Sequence, residues 1–247
     1  MKVSIRAELV LLTRSRAVRW SVVTAWLFAA VVTGGLLSTY GSEQQAVDVS
    51  TAAGQAEVLI DPLSGLVVLA LGVVLAAGDF RTGAVVWTYL ATPERWRWAV
   101  AKVVVAALLG AVVGVVAELV KLGTLAALQP AGAGPVQWSQ GVLWQAVAGS
   151  VISPTALAVA GAALGLATRN VAGAITGALV WIVVLEGVVR SFLPEAVVPF
   201  LPHTALAELR NLTGTAPYAQ SATVVGVTLA VLVAGALVLT QRRDLTR

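Results

Sequence analysis

Residues 103–116 read VVVAALLGAVVGVV, a stretch without a charge or a side chain able to hydrogen-bond. With its flanks the run extends over 99–120, and a hydrocarbon core about 30 Å thick needs roughly 20 such residues in a helix. A strand of a transmembrane barrel would alternate apolar and polar residues, and this stretch does not alternate. Residues 67–77, VVLALGVVLAA, repeat the pattern within a run over 58–77. Further runs cover 20–38, 142–167, 171–189 and 222–240. The chain of 247 residues is 58% hydrophobic and 11% charged, against about 25% charged in an ordinary globular domain, and its mean hydropathy is +0.90. The reading is an all-α membrane protein of six transmembrane helices. No break in composition marks a soluble unit, so residues 1–247 form one membrane domain.

The charges orient this domain. With the N-terminus inside, all of the 16 Lys and Arg residues except Lys121, Arg190 and Arg210 fall on cytoplasmic segments. The positive-inside rule therefore places both termini in the cytoplasm, and the pI near 10.0 reports topology rather than nucleic-acid binding. The first outer connection, TYGSEQQAVDVSTAAGQAE, carries acids and no base and reads as a short exposed loop. Trp20, Trp87, Trp96 and Trp98 fall near the inner boundary and Trp138 and Trp144 near the outer one, as amphipathic rings prefer. Trp26 and Trp181 lie deeper and read as packing residues. A cleaved signal peptide competes for the first run, but the basic segment before it is long and no A-x-A site follows Ser38. Before that run, Val3, Ala7, Val10 and Leu11 share one helical face while Arg6, Glu8, Arg14 and Arg16 lie largely elsewhere, the pattern of an interfacial helix.

Within the spans, Gly110 with Gly114, Gly161 with Gly165, and Gly173 with Gly177 match G-x-x-x-G, which lets helix backbones approach closely. Contacts within the chain and contacts between chains both fit. Ionisable groups in a span are costly; here Glu118 and Lys121 are three apart and Glu186 and Arg190 four apart, spacings that pair opposite charges on one helix face. All lie toward the outer ends, where local pairing and a part in substrate passage are the two readings. Asp61 and Pro62 mark the start of the second span, and Pro154 kinks the fourth. The last outer connection, SFLPEAVVPFLPHTALAELRNLTGTAPYAQS, is too apolar for a solvated loop, and Pro194, Pro199, Pro202 and Pro217 exclude a continuous span. It reads as short helices dipping into the outer leaflet, a re-entrant hairpin that could serve as an outer gate. Glu118, Glu186, Pro199 and Pro202 are thus the candidates for a translocation path or gate.

Cysteine is absent, which excludes disulfides and thiolate chemistry. The sequence contains no phosphate-binding G-x-x-x-x-G-K-[ST] loop, no G-x-S-x-G elbow and no H-E-x-x-H pair. His203 is the single histidine, without a buried serine partner in view. An enzyme, and a resident metal or cofactor, are therefore not expected.

Between the second and third spans, on the cytoplasmic side, lies GDFRTGAVVWTYLATPERWRWAVAK, residues 78–102. A helix over 80–90 would place Ala84, Val86, Trp87 and Leu90 together, with Pro93 ending it and Lys102 snorkelling to the headgroups. A simple headgroup anchor explains the arginines and tryptophans but not the helix between them. In its order of an acid, a small pair, an amphipathic stretch, a proline, an arginine and a lysine after the second span, the chain resembles the membrane subunits of ABC-2 type transporters. The matching positions are Asp79, Thr82 with Gly83, Val85 to Ala91, Pro93, Arg95 and Lys102. It departs from the family pattern in having Asp79 where glutamate is commoner and Thr82 before Gly83.

That resemblance implies a coupling helix seated in separate ABC ATPase subunits, which bind ATP and Mg, and a pairing of two membrane subunits as a homodimer. Asp79, Arg81, Thr82, Gly83, Trp87, Pro93 and Arg95 would carry the coupling. The expected function is ATP-driven export of a hydrophobic or amphiphilic drug, antibiotic or lipid-like compound across a bacterial plasma membrane. Glycan-lipid or haem-related export is the nearest alternative. An ion-driven secondary transporter would call for mid-membrane charges and an internal repeat, and a non-transporting scaffold would make the coupling segment a mere anchor.

Overall fold

The computed structural model describes residues 8–10, 13–42, 47–60, 62–91, 94–130, 132–211 and 217–243, and among these it is helical, with no strand. In chain order the helices are α1 (Arg16–Ser38), α2 (Ala52–Val58), α3 (Pro62–Thr82), α4 (Ala84–Ala91), α5 (Arg95–Ala127), α6 (Gly141–Thr168), α7 (Val171–Phe192), α8 (Pro202–Asn211) and α9 (Tyr218–Arg242). Helices α1, α3, α5, α6, α7 and α9 are long and apolar enough to cross a membrane, and the chain is a multi-pass membrane protein. Their starts follow local chemistry. Ser15, Thr51 and Asn170 each accept a hydrogen bond from a backbone N–H in the first turn of α1, α2 and α7, as N-caps do.

The centre of the bundle is a seam between α3 and α6. A Cβ placed on Gly161 would lie 2.2 Å from the Leu69 carbonyl oxygen, and one on Gly72 would lie 2.3 Å from that of Ala158. Only hydrogen fits there. On the other flank of α6, Gly110 and Gly114 of α5 receive the Pro154 region, with a Cβ on Gly114 falling 2.7 Å from the Pro154 ring. Two of the three G-x-x-x-G matches are therefore contacts within the chain. Gly177 is different, since a Cβ there would meet nothing within 4 Å. Pro154 sits inside the unbroken helix α6, its ring filling the notch that Gly114 leaves.

Several expectations are corrected. The first outer connection is folded rather than merely exposed: it holds α2, and Gln55 is 0% exposed. The buried amide is satisfied on both atoms, donating to the Val49 carbonyl at 3.0 Å and accepting from the Gln137 N–H at 2.9 Å. Trp98 is core, 2% exposed, because Phe80 and Tyr89 meet it edge-on with ring centroids 5.7 and 5.4 Å away. Trp181 is 44% exposed and lines a cavity rather than the core, whereas Trp26 packs inward and donates to the Val113 carbonyl. The helix expected over 80–90 begins later, since Phe80, Arg81 and Thr82 complete α3 and the break falls at Gly83, whose φ is +73°. Asp61, Pro93 and most of the N-terminal apolar face lie outside the described residues.

Between α7 and α9 the chain makes a 3-10 turn, Val198–Phe200, and then α8. Helix α8 lies against α6 so closely that a Cβ on Gly149 would sit 1.7 Å from the Leu209 carbonyl oxygen. Forcing a methyl into a packed interface costs about 1–3 kcal/mol. Gly161→Ala is accordingly expected to lower the thermal midpoint of the detergent-solubilised protein, while Gly177→Ala, which adds a better helix former without a clash, leaves it unchanged or raises it; equal midpoints for the two variants would refute the seam.

Candidate functional site

The basic end of the bundle gathers the described ends of the chain. Lys102, in the first turns of α5, is 1% exposed. Its ammonium lies 2.7 Å from the Glu8 carboxylate and 2.8 Å from that of Asp79, and 5.6 Å above the Trp98 ring. Lys102 therefore does not snorkel to headgroups; two acids from different segments hold it inside the protein. Burial pushes the Glu8 carboxyl above its ordinary range, by more than the adjacent ammonium pulls it down. The three groups tie the N-terminal segment to the end of α3 and the start of α5.

Around this triad the aromatic cluster of Phe80, Tyr89 and Trp98 fills the elbow between α3, α4 and α5. Guanidinium groups cover its rim: Arg169 lies 5.2 Å from the Phe80 centroid and Arg95 5.3 Å from that of Tyr89. Both also donate to the Arg243 carbonyl at the end of α9, at 2.9 and 3.4 Å. Arg243 returns the contact by donating to the Ala167 carbonyl at 2.9 Å. Arg169 itself closes α6 with φ +54°, a left-handed conformation rare for a residue with a side chain. Burial pushes the Tyr89 hydroxyl up from its usual range against the pull of these two cations.

The residues expected to carry coupling now take their places. Asp79 binds Lys102. Thr82 bonds back to the Gly78 carbonyl at 3.2 Å, and Gly83 supplies the left-handed joint between α3 and α4. Arg81 is exposed, Arg95 grips Tyr89 and the end of α9, and Pro93 lies outside the described residues. Helix α4 turns Val85 and Tyr89 inward and leaves Ala84, Val86, Trp87 and Leu90 outward, the face expected from spacing. Trp87 is 76% exposed and Leu90 73%. Glu8, Arg169 and Arg243 were not singled out for this site, and Lys102 was read as a matching position that reaches the headgroups rather than as a buried ion-pair partner. An acid in the N-terminal segment and a lysine opening an apolar run were visible, but nothing in sequence spacing joins them.

At the opposite end the two expected charge pairs part company. Glu118 and Lys121 do pair, at 2.6 Å and almost wholly buried, and Lys121 also donates to the Leu59 carbonyl that ends α2. Glu186 does not pair with Arg190. Its carboxylate instead accepts from the His203 N–H at 3.1 Å, the Thr204 N–H at 2.5 Å and the Thr204 hydroxyl at 3.0 Å, capping the start of α8, where the helix dipole favours an anion. Arg190 stays exposed. Of the gate candidates, Pro202 lines a cavity beside α8, Pro199 sits on the 3-10 turn, and Glu118 belongs to the separate Lys121 cluster.

The sequence matches no protein-family model, and no curated protein matches it.

Removing one partner of a buried pair leaves the other charge uncompensated, at a cost of about 3–5 kcal/mol. Lys102→Met is expected to destabilise strongly, and Lys102→Met with Glu8→Gln and Asp79→Asn to recover part of the loss, measured by thermal denaturation in one detergent. Glu186→Ala should lose about 1 kcal/mol as a lost cap, with Arg190→Ala within about 0.5 kcal/mol of wild type. A larger effect at Arg190 would contradict the capping assignment.

Proposed function

We propose that this chain is the membrane subunit of an ABC-2 type exporter that moves a hydrophobic or amphiphilic drug, antibiotic or lipid-like compound outward across a bacterial plasma membrane. The observation that carries the reading is the outer face of α4. Positive-inside placement puts the basic end in the cytoplasm, where an indole and a leucine on a short, firmly based helix are the kind of anchor a protein groove takes. A headgroup anchor would need no such base. Here Tyr89, Trp98 and the Lys102 triad fix the helix from behind, so that force applied to α4 reaches α5 directly.

In this reading two ABC ATPase subunits dock on the α4 helices of a homodimer, hold ATP and Mg, and carry the hydrolysis. Gly83 is the pivot against α3, and closure of the ATPases shifts the spans between inward-facing and outward-facing states. The N-terminal segment with Glu8 lies along the inner membrane surface. The Val198–Phe200 turn and α8 form the re-entrant hairpin of the outer leaflet, with Glu186 as its fastening.

Affinity purification of the tagged chain from its native membranes, with mass spectrometry of what accompanies it, tests this directly. An ABC ATPase subunit is expected with the wild type. Trp87→Glu with Leu90→Glu should reduce its recovery at least tenfold, since each buried anchor is worth about 2 kcal/mol, and should abolish ATP-dependent export from vesicles. Unchanged recovery and export in the double variant would overturn the proposal.

A further inference from the structure

Beside α8, a cavity of about 430 Å³ opens among α3, α6, α7, α8 and α9. Its size falls within the roughly 300–1,000 Å³ of small-molecule sites. Leu69, Leu157, Leu206 and Leu229 are among its lining residues, and besides the Trp181 indole the polar side chains on it are His203 and Thr228. Neither of these side chains has a hydrogen-bond partner among the described residues. Water would not fill such a space stably, since each buried molecule needs two to four polar partners. A charged ligand is equally unsuited, because the wall carries no carboxylate, ammonium or guanidinium to meet it, and burying an unpaired charge costs far more than the cavity could return.

The backbone of α7 is reshaped at this point. Residues Val180–Leu185 form a π-helical segment, and Trp181 and Ile182 from it line the cavity. No proline or glycine lies within the segment to account for it, and π-turns inside α-helices concentrate at functional sites. Glu186, immediately after it, fastens the N-terminus of α8 and so holds His203 at the cavity wall. Gly177, one turn earlier on α7, also lines the space. A Cβ there meets nothing within 4 Å, so the volume beside it is free for a ligand.

We infer that this cavity is a binding site for an uncharged molecule with an apolar body and a single hydrogen-bonding group, the body lying along the leucines and the polar group meeting His203 and Thr228. The inference deepens the export reading and rests on it only for what happens to the ligand after binding; the binding itself needs no ATPase.

The test uses the full chain in lipid nanodiscs without any partner, and three diazirine-bearing probes of equal chain length: dodecanol, dodecanoate and dodecylammonium. Photolabelling is mapped at Leu69, Leu157 and Leu206, which line the cavity and are buried within the bundle. The alcohol is expected to label these positions, in competition with unlabelled dodecanol, and the two ions at least tenfold less. Gly177→Leu fills the space and should reduce alcohol labelling at least tenfold, while Gly187→Leu, on the open face of α7, leaves it unchanged. His203→Ala with Thr228→Val should weaken competition by the alcohol at least threefold. Equal labelling in the two leucine variants, or equal labelling by the charged probes, would overturn the site. Either result leaves the ATPase recovery experiment unaffected, so failure of the cavity and failure of the export reading are told apart.

Discussion

Every charge that this chain takes into hydrocarbon has to find its partner inside the protein, because the surrounding solvent offers none. The few charges show how strictly that is met. Lys102 is shared by Glu8 and Asp79, Lys121 by Glu118 and the Leu59 carbonyl, and Glu186 by two backbone N–H groups and a hydroxyl. In each case the partner belongs to a neighbouring segment as well as, or instead of, the same helix. Satisfying the charge and joining the segments are one event, so the polar residues act as fasteners between parts that apolar packing alone would leave free to slide.

The fasteners divide the two ends of the bundle by task. At the basic end, the Lys102 triad and the Arg243 carbonyl draw the N-terminal segment, the α3–α4–α5 elbow and the last turns of α6 and α9 into one block, and α4 is the part of it left with an uncovered apolar face. At the opposite end, Gln55 and Gln137 join the first and third connections, and Glu186 secures α8. Neither end depends on the other for its polar partners. A firmly based helix with an exposed apolar face at one end and a cavity near the other can therefore coexist in a chain of this size.

Much of the fold was legible in the sequence, and for a plain reason. Hydrocarbon imposes a length on each span, and runs such as 103–116 advertise it. The exposed face of α4 was legible too, because a helical period needs only the order of Ala84, Val86, Trp87 and Leu90. What sequence could not disclose was pairing between distant segments. Lys102 read as a residue reaching for headgroups because its partners are Asp79, across the elbow, and Glu8, in another segment altogether. Glu186 and Arg190 had the spacing of a helix pair, yet an uncapped helix start on α8 competed for the carboxylate and won. The π-helical turn at Val180–Leu185 left no mark, since VWIVVL reads equally well as ordinary helix.

The α3–α6 seam sets what the bundle can do as a moving object. Where Leu69 O and Ala158 O press against glycine backbone, one helix cannot slide along the other without driving oxygen into a Cα, so shear between them is blocked. With α5 notched against Pro154 in the same way, α3, α5 and α6 can change position only together, as a single stiff stator. Helices α7 and α9 have the smallest buried shares of the six spans, 17% and 11% of their apolar windows, and are tied back to it at single points, α7 by Glu186 through α8 and α9 by Arg243.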